Sequence, residues 1–132
     1  MPRVSSLFLI LGLAGCVGPE IPTVVTGEWG GDHLGLVVSG DGADLEYDCA
    51  LGRISGELRP DGNGRFSVLG VFFPGHGGPD PVPDPQTGRP ARYDGSVRGD
   101  KMTLMVTLTD TGDFVGMFSL IRGASPHVFK CL

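Results

Sequence analysis

The sequence predicts an all-β domain: a small antiparallel up-and-down barrel of about eight strands, with a two-sheet β-sandwich as the alternative. Three observations lead there. Apolar and polar residues alternate with a period of two through much of the chain. The 23 Gly and 11 Pro punctuate apolar runs as turns instead of forming a repeat. No stretch keeps a helical period over the roughly 11 residues an amphipathic helix needs. A meander of this many strands normally removes its edges by closing on itself.

The elements follow in order. Residues 24–29 open the domain. In residues 33–39, Leu34, Leu36 and Val38 alternate with His33, Gly35 and Val37. Gly40-Asp41-Gly42 turns the chain into residues 43–49, where Leu45, Tyr47 and Cys49 oppose Asp44, Glu46 and Asp48. Residues 53–59 repeat the pattern through Ile54, Gly56 and Leu58. Pro60-Asp61-Gly62-Asn63-Gly64 is a strong turn, because Asn-Gly accepts the positive φ of tight hairpins. Residues 65–73 carry bulk on both faces, which predicts a strand covered on both sides. Residues 74–90 form the one long loop. Alternation resumes at 91–98, continues through 101–110 with Met102, Leu104, Val106 and Leu108 on one face, and ends with 114–121 and a short extended segment at 128–132.

The N-terminus has a separate logic. Arg3 precedes an apolar run, residues 4–13, and small residues follow, as in a secretory signal. The run is too short to span a bilayer as a helix, which takes about 20 apolar residues. Its end, Leu13-Ala14-Gly15-Cys16, resembles the lipobox of bacterial lipoproteins. That resemblance implies cleavage before Cys16 and acylation of Cys16 with palmitate-type chains. Residues 1–15 are then the signal peptide, 16–23 the lipidated N-terminus and tether, and 24–132 a single barrel domain. Val17, where inner-membrane retention typically uses Asp, points to the inner leaflet of the outer membrane, facing the periplasm, in a Gram-negative host. The alternative is an ordinary secretory peptide with a chance Cys.

Cleavage leaves 117 residues, enough for one domain with a modest core, and a formal charge of −6. This acidic balance, with scattered basic residues, excludes the clustered footprint that nucleic acid requires. No polybasic run follows Cys16, so the protein surface is not expected to bind anionic headgroups itself. Cys49 and Cys131 remain as an even pair in an oxidising compartment, which predicts a disulfide between them; two unrelated thiols are the alternative. The expected C-terminal segment then lies near the first strands, tied to the third.

Gly27-Glu28-Trp29 at the start of a meander resembles the Gly-x-Trp that opens lipocalins, avidins and small barrel-type protease inhibitors. The resemblance implies a Trp29 that plugs one barrel end. The domain is also similar to an uncharacterised group of small exported β proteins.

No catalytic constellation emerges. Asp32-His33 has the makings of an acid–base pair, and His33, His76 and His127 with carboxylates could in principle ligate metal. Yet no His-x-x-x-His spacing occurs, and Ser39 and Ser119 lack a Gly-x-Ser-x-Gly frame. Asp44, Glu46 and Asp48 read as a solvated strand face. No enzyme activity, metal or cofactor is expected. The long loop is the best candidate surface, since binding residues concentrate in loops on rigid β scaffolds. Phe73, His76, Arg89 and Arg92 would give it an aromatic-plus-basic patch. The expectation is a lipid-anchored binding or scaffold protein whose partner is an envelope protein or another cell-envelope component; the alternatives are a carrier of a small apolar ligand and a barrel-type protease inhibitor. Carrier and packed scaffold differ in the interior. Phe66, Phe72, Met102, Leu104, Phe114 and Phe118 could fill it, while Gly56, Gly70, Gly95 and Gly116 would leave room.

Overall fold

A computed structural model describes residues 20–75 and 87–131. Cys16, the segment before it and His76 lie outside the described residues. Eight strands form in order: β1 (Gly27–Gly31), β2 (Leu34–Ser39), β3 (Gly42–Tyr47), β4 (Ala50–Ser55), β5 (Arg65–Pro74), β6 (Arg89–Arg98), β7 (Lys101–Leu108) and β8 (Phe114–Arg122). Each pairs antiparallel with the next, and β8 returns to β1 through Trp29–Arg122 and Gly30–Ile121, closing the barrel. The up-and-down barrel is therefore the fold, and the sandwich is not.

Alternation sets the inside. Leu34, Leu36 and Val38 of β2, Ala43, Leu45 and Tyr47 of β3, and Met102, Leu104, Val106 and Leu108 of β7 are all buried in one cluster. The charged partners of the same strands, such as Asp44, Glu46 and Lys101, face solvent. A one-residue slip of any pair would reverse both faces, so burial fixes the register.

The interior glycines lead to side chains, not to space. A Cβ at Gly95 would stand 2.1 Å from Phe66 Cζ, and one at Gly70 would stand 2.7 Å from Tyr93 Cε2. At Gly52 the neighbour is the Tyr93 hydroxyl, 2.8 Å away, and at Gly116 it is Phe118, also 2.8 Å away. Gly56 is not an interior position: its φ of 123° ends β4 at the turn. Large rings opposite small residues are how a tapering barrel reaches native packing density.

Four expectations from the sequence need correction. The fourth strand starts at Ala50, not residue 53, because Asp48-Cys49 suffices as a turn, with Cys49 in the left-handed region at φ 54°. Leu58 is buried beyond that strand, beside Val25, whose N–H bonds the Leu58 carbonyl at 2.9 Å. Strand β5 is not covered on both sides, since Leu69 is 70% exposed. Phe114 points outward, 62% exposed, because a register shift at Val106/Thr107 places an extra residue in β8 and reverses the facing before it.

The last described segment, residues 123–131, is not a ninth strand. It turns back at Gly123, whose N–H bonds the Glu28 carbonyl, and runs over the outside of β1 and β2. A single parallel bridge joins Asp32 to His127. The Phe129 carbonyl accepts from Cys49 N–H, and Cys131 reaches disulfide position with Cys49, their Cα atoms 4.7 Å apart. The tail thus lies by the first strands and is tied to the turn after β3.

Candidate functional site: the tail groove and the barrel mouth

Glycines on the outer wall prepare the seat of the tail. At Gly30 a Cβ would stand 2.2 Å from the Ala124 carbonyl oxygen, and at Gly35 one would meet Pro126 at 3.0 Å. Backbone can approach backbone this closely only where side chains are missing. Beside the tail, strand register lines up the outer residues. Glu28, Val37 and Asp44 are neighbours in one row, and Gly35, Glu46 and Leu51 in the next.

The tail and these rows enclose a groove of about 450 Å³. Its apolar surface includes Val37, Leu51 and Pro126, and its rim carries Glu28, Asp44 and Glu46. Val37 is 55% exposed, although it lies mid-strand. Asp44 meets Arg53 at 3.3 Å, whereas Glu28 and Glu46 make no ion pair among the described residues. An apolar floor with a negative rim complements a ligand that carries both a positive charge and an apolar stem.

The barrel end that carries the β1–β2, β3–β4 and β7–β8 turns has a second concavity, of about 290 Å³. Half-buried Phe72, Val115 and Phe118 line it, with His33 and Asp48 on one side. Beneath them, Tyr47 stacks edge-on against Phe72 and Phe118, with ring centroids 5.2 and 5.6 Å apart. Tyr93 donates its hydroxyl proton to the Val71 carbonyl at 2.8 Å. The buried Tyr47 hydroxyl, beside Tyr93, completes no hydrogen bond of good geometry among the described residues. Burial pushes the Tyr93 pKa up to about 12, and burial together with the Tyr93 charge pushes Tyr47 higher still.

Asp32 and His33 do not act on each other. His33 Nδ1 pairs with Asp48, and His127 Nδ1 pairs with Asp32 at 3.1 Å. Asp48 also accepts the Phe129 N–H at 2.8 Å. These contacts join two turns and the tail into a clasp. All four side chains are substantially exposed, so each pair is a weak, screened contribution next to the disulfide. Among the described residues, no three His, Cys, Asp or Glu are grouped to hold a metal ion.

Of the expected aromatic-plus-basic patch, Phe73, Arg89 and Arg92 fall within the described residues, and Arg89 sits opposite Phe72, the neighbour of Phe73. Arg89 is spent on Asp110 at 3.0 Å and Thr111 at 3.2 Å, tying the start of β6 to the β7–β8 turn. Arg92 pairs with Asp94 at 2.9 Å and sits opposite Leu69. Phe73 is half-buried and sits opposite Leu51, four residues along β5 from Arg92's partner. Trp29 is 1% exposed, gives its indole N–H to the Thr26 carbonyl at 3.1 Å, and carries the Arg122 guanidinium 4.7 Å over its ring.

Sequence reasoning missed the tail groove. The available signal was Gly30, Gly31 and Gly35, three glycines at strand positions where no turn needs them. Comparison with protein-family models, with curated proteins and with solved structures gives no match to this chain.

Proposed function

We propose that this chain is a lipid-anchored binding protein of the cell envelope, without catalytic activity, that holds a partner on the outside of its barrel. The observation that carries the reading is the groove between the tail and β1–β4, with its exposed Val37 and with Glu28 and Glu46, which make no ion pair among the described residues. The partner chemistry it suits is a protein segment presenting a Lys or Arg beside apolar residues. The packed interior supports an external site, since Phe66, Tyr93 and Phe118 occupy the places that small residues could have left open. The anchor is Cys16, in the Leu-Ala-Gly-Cys context, and the compartment is the periplasmic face of the outer membrane.

The test uses a photo-crosslinking residue at Val37 or Leu51 in the full-length protein expressed in its own envelope, with Thr103 on another part of the wall as control. A discrete adduct from the first two and not from Thr103 supports the reading. Adducts independent of position, or none, count against it. Palmitate-analogue labelling that is lost in Cys16→Ser tests the anchor separately.

A second reading has its own observation. The 290 Å³ concavity lined by Phe72, Val115 and Phe118 suits a small apolar ligand held at the mouth of the barrel. Extra mass released on denaturation, in native mass spectrometry of the periplasmic protein, would favour it.

A further inference from the structure

The chain that would arrive from Cys16 is pinned where the described residues begin. The Glu20 carbonyl accepts the N–H of Gly99, in the turn between β6 and β7, at 2.9 Å. Val25 is fully buried and bonded to Leu58. Four residue steps separate Cys16 from Glu20, and a fully extended chain covers at most about 14 Å in that number. Cys16 therefore cannot lie further than this from Glu20, which is itself bonded to the β6–β7 turn.

The groups gathered at that turn come from distant parts of the sequence. Arg98 and Lys101 are direct cross-strand partners, and Lys101 is in turn opposite Ile121. All three are exposed on the outer wall. Ile21, next to the pinned Glu20, is 36% exposed. Arg98 and Lys101 make no ion pair among the described residues. Asp100, between them in sequence, pairs instead with Arg122 at 3.5 Å. Asp61 at the same end is engaged by the backbone N–H groups of Asn63 and Arg65. On a chain whose formal charge is −5, this sets Arg98 and Lys101, without an ion pair among the described residues, beside two exposed isoleucines and the exposed Glu20, at the end where the tether leaves.

We propose that the Arg98–Lys101 hairpin tip, flanked by Ile21 and Ile121, contacts anionic lipid headgroups and seats the barrel end-on upon the membrane that holds its anchor. The inference rests on the lipid-anchor reading of Cys16. Two cations alone would not recruit a protein to a membrane. Once the anchor holds the tip within a short tether of the surface, however, its effective concentration is high enough for a weak contact to set orientation. The mouth with His33, Asp48 and Phe118 then stands about 20 Å further out, by the rise of the tilted eight-residue β7, and faces away from that membrane.

The test is nuclear magnetic resonance of the full-length lipidated protein in nanodiscs containing phosphatidylglycerol and a trace of lipid with a gadolinium-chelating headgroup. The expected result is severalfold stronger broadening of the Gly99, Lys101 and Ile121 amides than of Asp48 and Gly112. The contrast should shrink at least twofold in Arg98→Glu/Lys101→Glu, or when the discs contain only zwitterionic lipid. Equal broadening at both ends, or a contrast unchanged in the double variant, overturns the headgroup contact. So does broadening of the tip by a second, spin-labelled copy, which would make it a self-association surface. Intact mass keeps the two readings apart: Cys16 without lipid removes the anchor reading itself, whereas lipidated protein without contrast removes only this inference.

Discussion

Phe66 occupies the space over Gly95: a Cβ on residue 95 would lie within 2.7 Å of three of its ring carbons, the nearest at 2.1 Å. The ring comes from β5 and the glycine from β6, directly opposite each other in the strand register. Neither residue can be understood without the other. Phe66 is 6% exposed because Gly95 lets it lie flat against the wall, and Gly95 is buried because Phe66 covers it.

Gly95→Ala should therefore destabilise the barrel by about 1–3 kcal/mol, the usual range for overpacking a filled core. Urea unfolding monitored by Trp29 fluorescence would read this as a lower midpoint with an unchanged slope. Phe66→Leu should cost stability alone through a cavity. In combination with Gly95→Ala it should recover part of the loss, because the smaller chain vacates the space the new methyl needs. Purely additive losses would show that the two positions do not share volume.

The tail offers a second prediction. Cys49 and Cys131 are 82 residues apart in sequence, so in the chain-entropy model their bond contributes about 4.5 kcal/mol. Replacing both by Ala should lower stability by about 2–5 kcal/mol. It should also raise amide exchange at His33, Cys49 and His127, which are bonded across the tail, before it touches β6 and β7. Gly30→Ala should produce the same local pattern with the disulfide intact, since its methyl would collide with the Ala124 carbonyl. Exchange that rises uniformly in both variants would mean that the tail and barrel unfold as one unit.

Most of the barrel was legible in the sequence because its signal is local. Alternation along β2, β3, β6 and β7 is a property of each strand alone, and turn residues bound them. Three things were not local. The outward Phe114 depends on a one-residue bulge that breaks strict alternation. The groove depends on residues 123–126 crossing Gly30 and Gly35, about 90 positions away, and only the strand glycines hinted at a close approach. Arg89 and Arg92 looked available because the carboxylates that hold them, Asp110 and Asp94, are brought alongside by hairpin register or strand spacing. The same effect runs the other way at Arg98 and Lys101: no polybasic run exists in the sequence, yet a hairpin sets two cations side by side.

Acid should act through carboxylates that the fold engages. The Arg89 guanidinium holds the Asp110 carboxyl below its ordinary range, and the Arg65 and Asn63 backbone N–H groups do the same for Asp61. A folded pKa below the unfolded value means stability that is present above about pH 4 and lost as pH falls through the folded value. Side-chain carboxyl carbon shifts should thus show Asp61 and Asp110 titrating below the ordinary aspartate range. Asp110→Asn should flatten the acid limb of the stability curve, and it should shift the Arg89 Nε resonance at neutral pH. Both aspartates are at the surface, so the effect should be modest and weakened by salt.

Base gives the sharpest test of the interior, because the chain has two tyrosines, Tyr47 and Tyr93, and both are buried. Their folded pKa values lie above the ordinary 10, that of Tyr93 at about 12 and that of Tyr47 beyond it. A raised folded pKa means the native state keeps a proton the unfolded chain has already lost. The stability this provides is fully present below pH 10 and falls as pH rises through the folded values. Between about pH 10 and 11 the native protein should show almost no tyrosinate absorbance near 295 nm. Both phenols should then ionise together as the barrel opens, coincident with the loss of β circular dichroism. Tyr93→Phe should remove the hydroxyl bond to the Val71 carbonyl and leave that acceptor buried, costing about 1–3 kcal/mol. A smooth titration of either phenol near pH 10, with the sheet intact, would mean that water reaches the centre of the barrel. The packed interior, and the external binding site argued from it, would then both fall.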